Sequence, residues 1–217
     1  MAKKKNINKS DLISMYMDYV LEHNEDPKSV YKFSKDNNFD EALFYQSFTS
    51  FEAIKNEIFT VFLENTLGLL HKSEEFESFD ARNQLLSFYY TFFEMLTANR
   101  SYVVYALKNQ KNKLEVMKSL KGLKKGFTKF VDNLDIEKLD VKQEKLENIQ
   151  DKALSETAWL QLVVTIKFWL EDTSSAFEKT DLFIEKSVNA SFDVINIAPI
   201  KSIIDLGKFL FKEKMMK

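Results

Sequence analysis

The sequence predicts an all-α protein. Its 217 residues include only four glycines and two prolines, which leaves few of the residues that hairpins and tight β-turns require. Apolar residues recur at helical spacing along most of the chain. A hydrophobic content of 45% is sufficient for a core and excludes global disorder. We therefore expect about nine or ten helices.

Four helical patterns occupy the N-terminal region. The first covers 10–24, with Ser10 as its cap. The second has Pro27 in its first turn, where proline is well tolerated, and ends at Asn37 and Asn38, a pair that favours a turn. We expect this second helix to direct four side chains inward: Val30, Tyr31, Phe33 and Ser34.

The third and fourth patterns follow without a long loop. Asp40 is placed to cap a short third helix, and Ser50 opens a long fourth helix that ends near His71. Two short helices that meet at a polar corner are the layout of a helix-turn-helix. We expect residues 1–60 to form this head.

Residues 61–217 are expected to form a larger helical domain. A fifth helix from Asp80 is apolar on nearly every side and should be buried, and a shorter sixth helix follows it. A lysine-rich helix covers 114–134, and two long helices cover 154–170 and 177–194. The lysine-rich helix has an apolar stripe made of Val116, Met117, Leu120, Leu123, Phe127 and Val131.

Composition argues against catalysis. The chain has no cysteine, which excludes disulfides and thiolate metal sites and favours a cytoplasmic location. His23 and His71 have no metal-binding partners at ligand spacing, and no glycine-rich phosphate loop or nucleophile elbow is present. No apolar run approaches the length of a membrane-spanning helix. We expect neither enzymatic activity, nor a cofactor, nor a metal.

The charge of the predicted head does not favour nucleic acid. Residues 1–60 contain eight lysines and ten carboxylates, and the whole chain has a formal charge of −2. Only two arginines, Arg82 and Arg100, occur in the chain, although arginine is the usual reader of guanine edges.

Residues 29–52 nevertheless resemble the helix-turn-helix of the TetR family of bacterial regulators. The matching positions are Ser29 at the opening hydroxyl, Phe33-Ser34 at the apolar–small pair, Asn37 to Asp40 at the turn, Phe44-Tyr45 at the aromatic pair, Phe48, and Ser50-Phe51-Glu52 at the entry to the fourth helix. Leu43, Ser47 and Phe51 depart from the family pattern, at positions where the family typically touches the DNA backbone.

The resemblance implies a TetR-like fold with a helix-turn-helix head at 1–60 and a ligand-binding and dimerisation body at 61–217. It also implies that duplex DNA is contacted by Ser29, Lys32, Tyr45 and Gln46. The aromatic density of the body suggests a pocket for a small apolar ligand at Phe88, Phe92, Tyr102 and Trp159, although a packed core explains the same pattern.

Residues 159–188 resemble the lipid-binding accessory proteins of ubiquinone biosynthesis, which share the TetR fold. In both families the two closing helices tend to form a dimer contact, which implies an interface at Val163, Ile166, Leu170, Phe177, Ile184 and Val188. Packing of these side chains within the monomer is the alternative. A last amphipathic helix after Pro199 either docks on its own domain or contacts a membrane surface.

Two functional hypotheses therefore remain open. The first is a homodimeric transcriptional regulator that binds DNA through its head and senses a small apolar molecule. The second is a TetR-fold lipid-binding or isoprenoid-binding accessory protein whose head no longer binds DNA.

Overall fold

The structure, a computed structural model, describes residues 5–108, 113–136 and 144–195. These ranges contain ten α-helices and no strand, so the all-α prediction is confirmed. The predicted helix after Pro199 lies outside the described residues. The helices are α1 (Lys9–His23), α2 (Val30–Asp36), α3 (Glu41–Ser47), α4 (Phe51–Leu70), α5 (Ala81–Ala98), α6 (Arg100–Leu107), α7 (Lys113–Ser119), α8 (Lys121–Asp132), α9 (Glu144–Glu171) and α10 (Glu178–Ile195).

The chain forms two compact units, and each unit is assembled from two separate segments. The first unit comprises Met1–Leu69 and Thr91–Phe127, and the second comprises Leu70–Tyr90 and Thr128–Lys217. The first unit therefore combines the predicted head with helices of the predicted body. The functional boundary at residue 60 stays a prediction.

The first helix is capped by Asn8 and not by Ser10 as predicted. The Asn8 side chain accepts a hydrogen bond from the backbone N–H of Asp11 at 3.0 Å, and the Asp11 carboxylate accepts one from the backbone N–H of Asn8 at 2.9 Å. This reciprocal pair satisfies two donors that a helix start leaves open. Ser10 lies inside the helix.

The second helix begins after Pro27, so the prediction that this proline lies in its first turn is wrong. Ser29 is the cap, and its hydroxyl accepts from the backbone N–H of Lys32 at 3.1 Å. Phe33 is fully buried, as predicted, but Tyr31 is 63% exposed. Side chains two residues apart on a helix point in directions that differ by about 200° around the helix axis, so Tyr31 and Phe33 cannot both face the core.

The turn between α2 and α3 has the predicted chemistry. Asn38 adopts a positive φ of 59°, and its carbonyl oxygen accepts from the backbone N–H of Lys5 at 2.9 Å. Asp40 caps α3 by accepting from the backbone N–H of Ala42 at 3.0 Å. Ser50 and Asp80 accept equivalent backbone bonds at the starts of α4 and α5. These caps confirm where three helices begin.

The lysine-rich segment forms two helices instead of the single predicted one. α7 ends at Ser119, whose hydroxyl donates to the carbonyl oxygen of Val116 at 2.8 Å. Such side-chain bonds compete with the helical backbone pattern. Leu123, Phe127 and Val131 are buried as predicted, but Met117 is exposed, because the stripe does not continue across the break.

In the second unit, Asp172 fixes the corner that connects α9 to α10. Its buried carboxylate accepts from the backbone N–H and hydroxyl of Ser174, at 2.8 and 2.7 Å, and from the same two groups of Thr180, at 2.9 and 2.7 Å. Burial alone would raise the pKa of Asp172, but these hydrogen bonds outweigh burial and hold the pKa below its usual range. The corner also contains two residues with positive φ, Ala176 and Phe177.

Another polar contact of the second unit joins α5 to α10. The Arg82 guanidinium donates to the side chains of Asn189 at 3.2 Å and Asp193 at 2.9 Å, and it lies 5.4 Å from the ring centre of Phe192.

No helix within the described ranges is both long and apolar enough to cross a membrane.

Candidate functional site

The first candidate surface is the outer face of α3. Ala42, Tyr45 and Gln46 are exposed and recur at helical spacing, while Phe44 and Phe48 are buried on the opposite side. Tyr45 leaves more than half of its surface accessible, and its ring packs edge-on against Phe44. The helix therefore exposes one aromatic and one amide side chain, and the buried Phe44 and Phe48 pack on its opposite side.

The predicted DNA contacts on α2 are exposed but already have partners within the chain. The Ser29 hydroxyl caps its own helix, and the Lys32 ammonium contacts Asp36 at 2.8 and 3.1 Å. The hydrogen bond with Asp36 raises the pKa of Lys32, so the group is fully protonated at neutral pH. Contact between DNA and Ser29, Lys32, Tyr45 or Gln46 stays a prediction.

The net charge of residues 1–60 is a poor description of the α2–α3 surface. Lys32 and Lys35 are exposed on α2, Lys28 is exposed in the loop just before it, and Lys5 is tied to the turn through its backbone. Six of the ten carboxylates of this region accept hydrogen bonds within the chain: Asp11, Asp26, Asp36, Asp40, Glu52 and Glu57. Exposed lysines therefore lie on and just before α2, and one of them, Lys32, is paired with Asp36.

The second candidate site is a cleft in the first unit. It has a volume of about 440 Å³ and lies between α1, the α1–α2 loop, the first turns of α4, the end of α6, and α7. In the cleft the Tyr16 hydroxyl donates to Asp26 at 2.6 Å, and the Lys55 ammonium forms an ion pair with the other carboxylate oxygen of Asp26. Its lining comprises Tyr16, Asp26, Glu52, Lys55, Asn56, Tyr102, Tyr105, Ala106, Leu114, Glu115, Val116, Lys118 and Ser119.

Burial controls the protonation of the tyrosines in this cleft. Burial, reinforced by the hydrogen bond to Asp26, raises the pKa of Tyr16 far above its usual value of 10. Burial also raises the pKa of Tyr102. Both phenols are therefore neutral at any physiological pH, and Tyr16 is fixed as a hydrogen-bond donor to Asp26.

The four aromatic residues predicted to bind a ligand do not share this cleft. Tyr102 lines it. Phe88 and Phe92 are fully buried, and Phe88 stacks on Phe130 at 5.0 Å. Trp159 is half-buried in the second unit. No local signal predicts the Asp26–Lys55 contact, because its two partners are 29 residues apart.

The third candidate surface is the outer face of α9 and α10. Ile166, Ile184 and Val188, three of the predicted dimer contacts, are buried within the single chain, and Val163, Leu170 and Phe177 are half-buried. From residue 152 of α9 onwards, the large apolar side chains that are exposed are Leu160, Val164 and Phe168, spaced four residues apart on one face. Phe168 stacks on Phe183 of α10, with ring centres 4.6 Å apart. The predicted dimer interface stays a prediction, and the face with Leu160, Val164 and Phe168 is a second apolar surface.

Comparison with known protein families identifies the C-terminal part of the chain. Residues 84–210, more than half of the sequence, match a family model described as "Tetracyclin repressor-like, C-terminal domain". A search of curated proteins finds no match to this chain. Within the residues that the structure describes, no group of three or more potential metal ligands is present. The ten-helix architecture and the family match agree, and the chain belongs to the TetR family.

Proposed function

We propose that this protein is a homodimeric transcriptional regulator that binds duplex DNA through α2 and α3 and responds to a small molecule. The observation that carries the proposal is the exposed face of α3, where Tyr45 and Gln46 are accessible opposite the buried Phe44 and Phe48. The family match supports this role, since TetR proteins are bacterial regulators.

In the proposed complex, α3 enters the major groove. The Gln46 amide can donate and accept at a base edge, and the Tyr45 ring offers an apolar face to a thymine methyl group. Lys32 and Lys35 on α2, and Lys28 just before it, would contact phosphates beside the groove.

Dimerisation is proposed through the exposed face of α9 and α10. A second copy of the chain would cover Leu160, Val164 and Phe168 by isologous packing of two helices from each protomer. Two heads in one dimer would then read two half-sites about one DNA turn apart, roughly 34 Å.

The DNA-binding proposal can be tested by fluorescence anisotropy with labelled duplexes from the region around the protein's own gene. A Tyr45→Ala, Gln46→Ala double variant should lose at least about tenfold in affinity for its best duplex, since each good base contact contributes about 1–3 kcal/mol. Leu69→Ala, an exposed position on α4, should leave the affinity unchanged. Lys28→Ala should instead weaken binding to all duplexes and reduce the salt slope by about one.

The competing hypothesis predicts different results. A lipid-binding accessory protein with a degenerate head would bind no duplex even at low salt, where electrostatic attraction is greatest. It would also carry lipid through purification, which native mass spectrometry would detect. Those two results together would contradict the regulator proposal.

A further inference from the structure

We propose that the cleft lined by Tyr16, Asp26, Lys55, Tyr102 and Leu114 binds an amphipathic organic cation, and that this ligand competes with Lys55 for the Asp26 carboxylate. The site is proposed from the geometry of the first unit alone. It rests on the proposed regulatory function only for its effect on DNA binding.

The dimensions and walls of the cleft suit a small organic molecule. Its volume of about 440 Å³ lies in the range of roughly 300–1,000 Å³ that is usual for ligand sites. Ala106, Leu114 and Val116 provide aliphatic wall, and Tyr102 and Tyr105 provide aromatic wall. Leu114 is 68% exposed, so a ligand that covers it would remove apolar surface from water.

The charge of the lining favours a cation over an anion. The cleft is lined by the three carboxylates of Asp26, Glu52 and Glu115 and by the two ammonium groups of Lys55 and Lys118, which gives a formal charge of −1. An anionic ligand would meet two ammonium groups that already have carboxylate partners, Lys55 with Asp26 and Lys118 with Glu52, and it would also face Glu115. A cation meets attractive carboxylates and two tyrosine rings, whose faces also attract positive charge.

The ion pair that the ligand would replace connects two parts of the predicted head. Asp26 lies in the loop between α1 and α2, and Lys55 lies in the first turns of α4. Tyr16 holds Asp26 from the other side through its hydroxyl. A cation that takes the place of Lys55 would therefore leave Asp26 in position but release the start of α4 from the loop that leads into α2.

This release would couple the cleft to DNA binding. The orientation of α2 and α3 relative to α4 determines how the head meets a duplex, so a ligand that binds better when the ion pair is open must change the affinity for DNA, and DNA must change the affinity for the ligand by the same factor. The ligand class proposed here is thus a cationic molecule with an apolar body.

The charge preference can be measured by isothermal titration calorimetry on the full chain without DNA. Three probes share one ring system and differ in charge: 2-naphthylmethylammonium, 2-naphthylmethanol and 2-naphthoate. The cation is expected to bind at least about tenfold more tightly than the alcohol, and naphthoate is expected to bind most weakly. Equal affinities for the three probes, or no binding of the cation at millimolar concentration, would overturn the proposal.

A charge reversal at the rim tests whether the preference arises in this cleft. Glu52 is well exposed and meets Lys118 at 3.4 Å, so Glu52→Lys should fold normally. It changes the formal charge of the lining from −1 to +1 and should lower the cation-to-anion preference at least about tenfold. Glu64→Lys makes the same change at an exposed position farther along α4 and should have little effect. An equal effect of both variants would place the probe elsewhere.

A steric variant provides an independent location test. Ala106→Phe should occupy the cleft and abolish binding of 2-naphthylmethylammonium, while Ala98→Phe adds the same volume at an exposed position on α5. Circular dichroism verifies folding, and the Glu52→Lys result stands if Ala106→Phe does not fold. Retained binding in a folded Ala106→Phe variant would refute the site.

The two proposals fail in distinguishable ways. Cation binding without any duplex binding would retain this site and remove the regulatory function. Duplex binding without cation binding would retain the regulator and remove this site. When both bind, the cation should lower the DNA affinity of the wild type but not that of Ala106→Phe, and an unchanged affinity in the wild type would overturn the proposed competition with Lys55.

Discussion

Thr180 donates both its backbone N–H, at 2.9 Å, and its hydroxyl, at 2.7 Å, to the same carboxylate oxygen of Asp172. Ser174 makes the equivalent pair of bonds to the other oxygen. One buried carboxylate therefore sets both the end of α9 and the first turn of α10.

Replacement of Asp172 by asparagine should destabilise the protein by about 1–3 kcal/mol. In the variant, an amide N–H₂ group replaces a carboxylate oxygen that accepts two hydrogen bonds. The two buried donors then lose their acceptor, which lowers the free energy of unfolding. Urea unfolding followed by circular dichroism, at one fixed protein concentration, measures the difference. The neighbouring exposed Glu171→Gln is the matched control. Equal stability of both variants would show that the four hydrogen bonds contribute little.

The contribution of Asp172 should disappear in acid. Its pKa is lower in the folded protein than in the unfolded chain, where it is near 3.9. The stabilisation is therefore complete above about pH 5 and is lost as pH falls towards the folded-state pKa. The difference in unfolding free energy between the wild type and Asp172→Asn should narrow between pH 5 and the lowest pH at which both fold. A constant difference across this window would contradict the assignment.

Phe33→Ala should be among the most damaging changes in the head, at about 3–5 kcal/mol. Phe33 is fully buried and meets four aromatic rings edge-on, those of Tyr19, Phe39, Phe44 and Phe51. Tyr31→Ala, two residues earlier on the same helix but exposed, should cost less than about 1 kcal/mol. Thermal unfolding of the pair provides the comparison, and similar losses would mean that Tyr31 is not exposed in solution.

Gly122 should resist substitution because α8 passes close to α4 there. A Cβ atom added to Gly122 would overlap the Thr60 hydroxyl, whereas one added to Gly68 would meet nothing within 4 Å. Gly68→Ala should therefore stabilise α4 by up to about 1 kcal/mol, while Gly122→Ala should destabilise the protein. A double-mutant cycle with Thr60→Ala should recover most of the loss at Gly122. Additive effects of the two changes would exclude this clash as the cause.

Val164→Lys should convert the proposed dimer into monomers. Val164 is 46% exposed between Leu160 and Phe168, and a lysine there would bury an unpaired charge in the contact. Sedimentation velocity gives the oligomeric state, and circular dichroism verifies the fold. Leu21→Lys replaces an apolar residue of similar exposure, 41%, on α1 and should remain dimeric. A monomeric wild type would contradict the dimer proposal directly.

Local signals in the sequence were sufficient for the starts of α3, α4 and α5 and for the turn before α3. Asp40, Ser50 and Asp80 cap the helices for which they were predicted, and Asn38 makes the predicted turn. Each of these depends on a side chain and a backbone group within three residues.

The side of each helix that faces the core was less predictable from the sequence. Tyr31 and Met117 belong to helices with apolar residues on more than one side, and periodicity cannot then determine which side meets the core. The same ambiguity applies to α9, where Ile166, a predicted dimer contact, is buried within the single chain and Val164 is exposed. The cleft could not be predicted from the sequence, because Asp26 and Lys55 are brought together only by the tertiary fold.

The division of the chain into two units has a practical consequence for dissecting the protein. The polypeptide passes between the units three times, and α1 packs against α6, which begins 40 residues after the predicted end of the head. A recombinant fragment that stops at residue 60 would expose the side of α1 that α6 normally covers. Truncation is therefore a poor way to isolate the DNA-binding activity, and point substitutions in the intact polypeptide are the better choice.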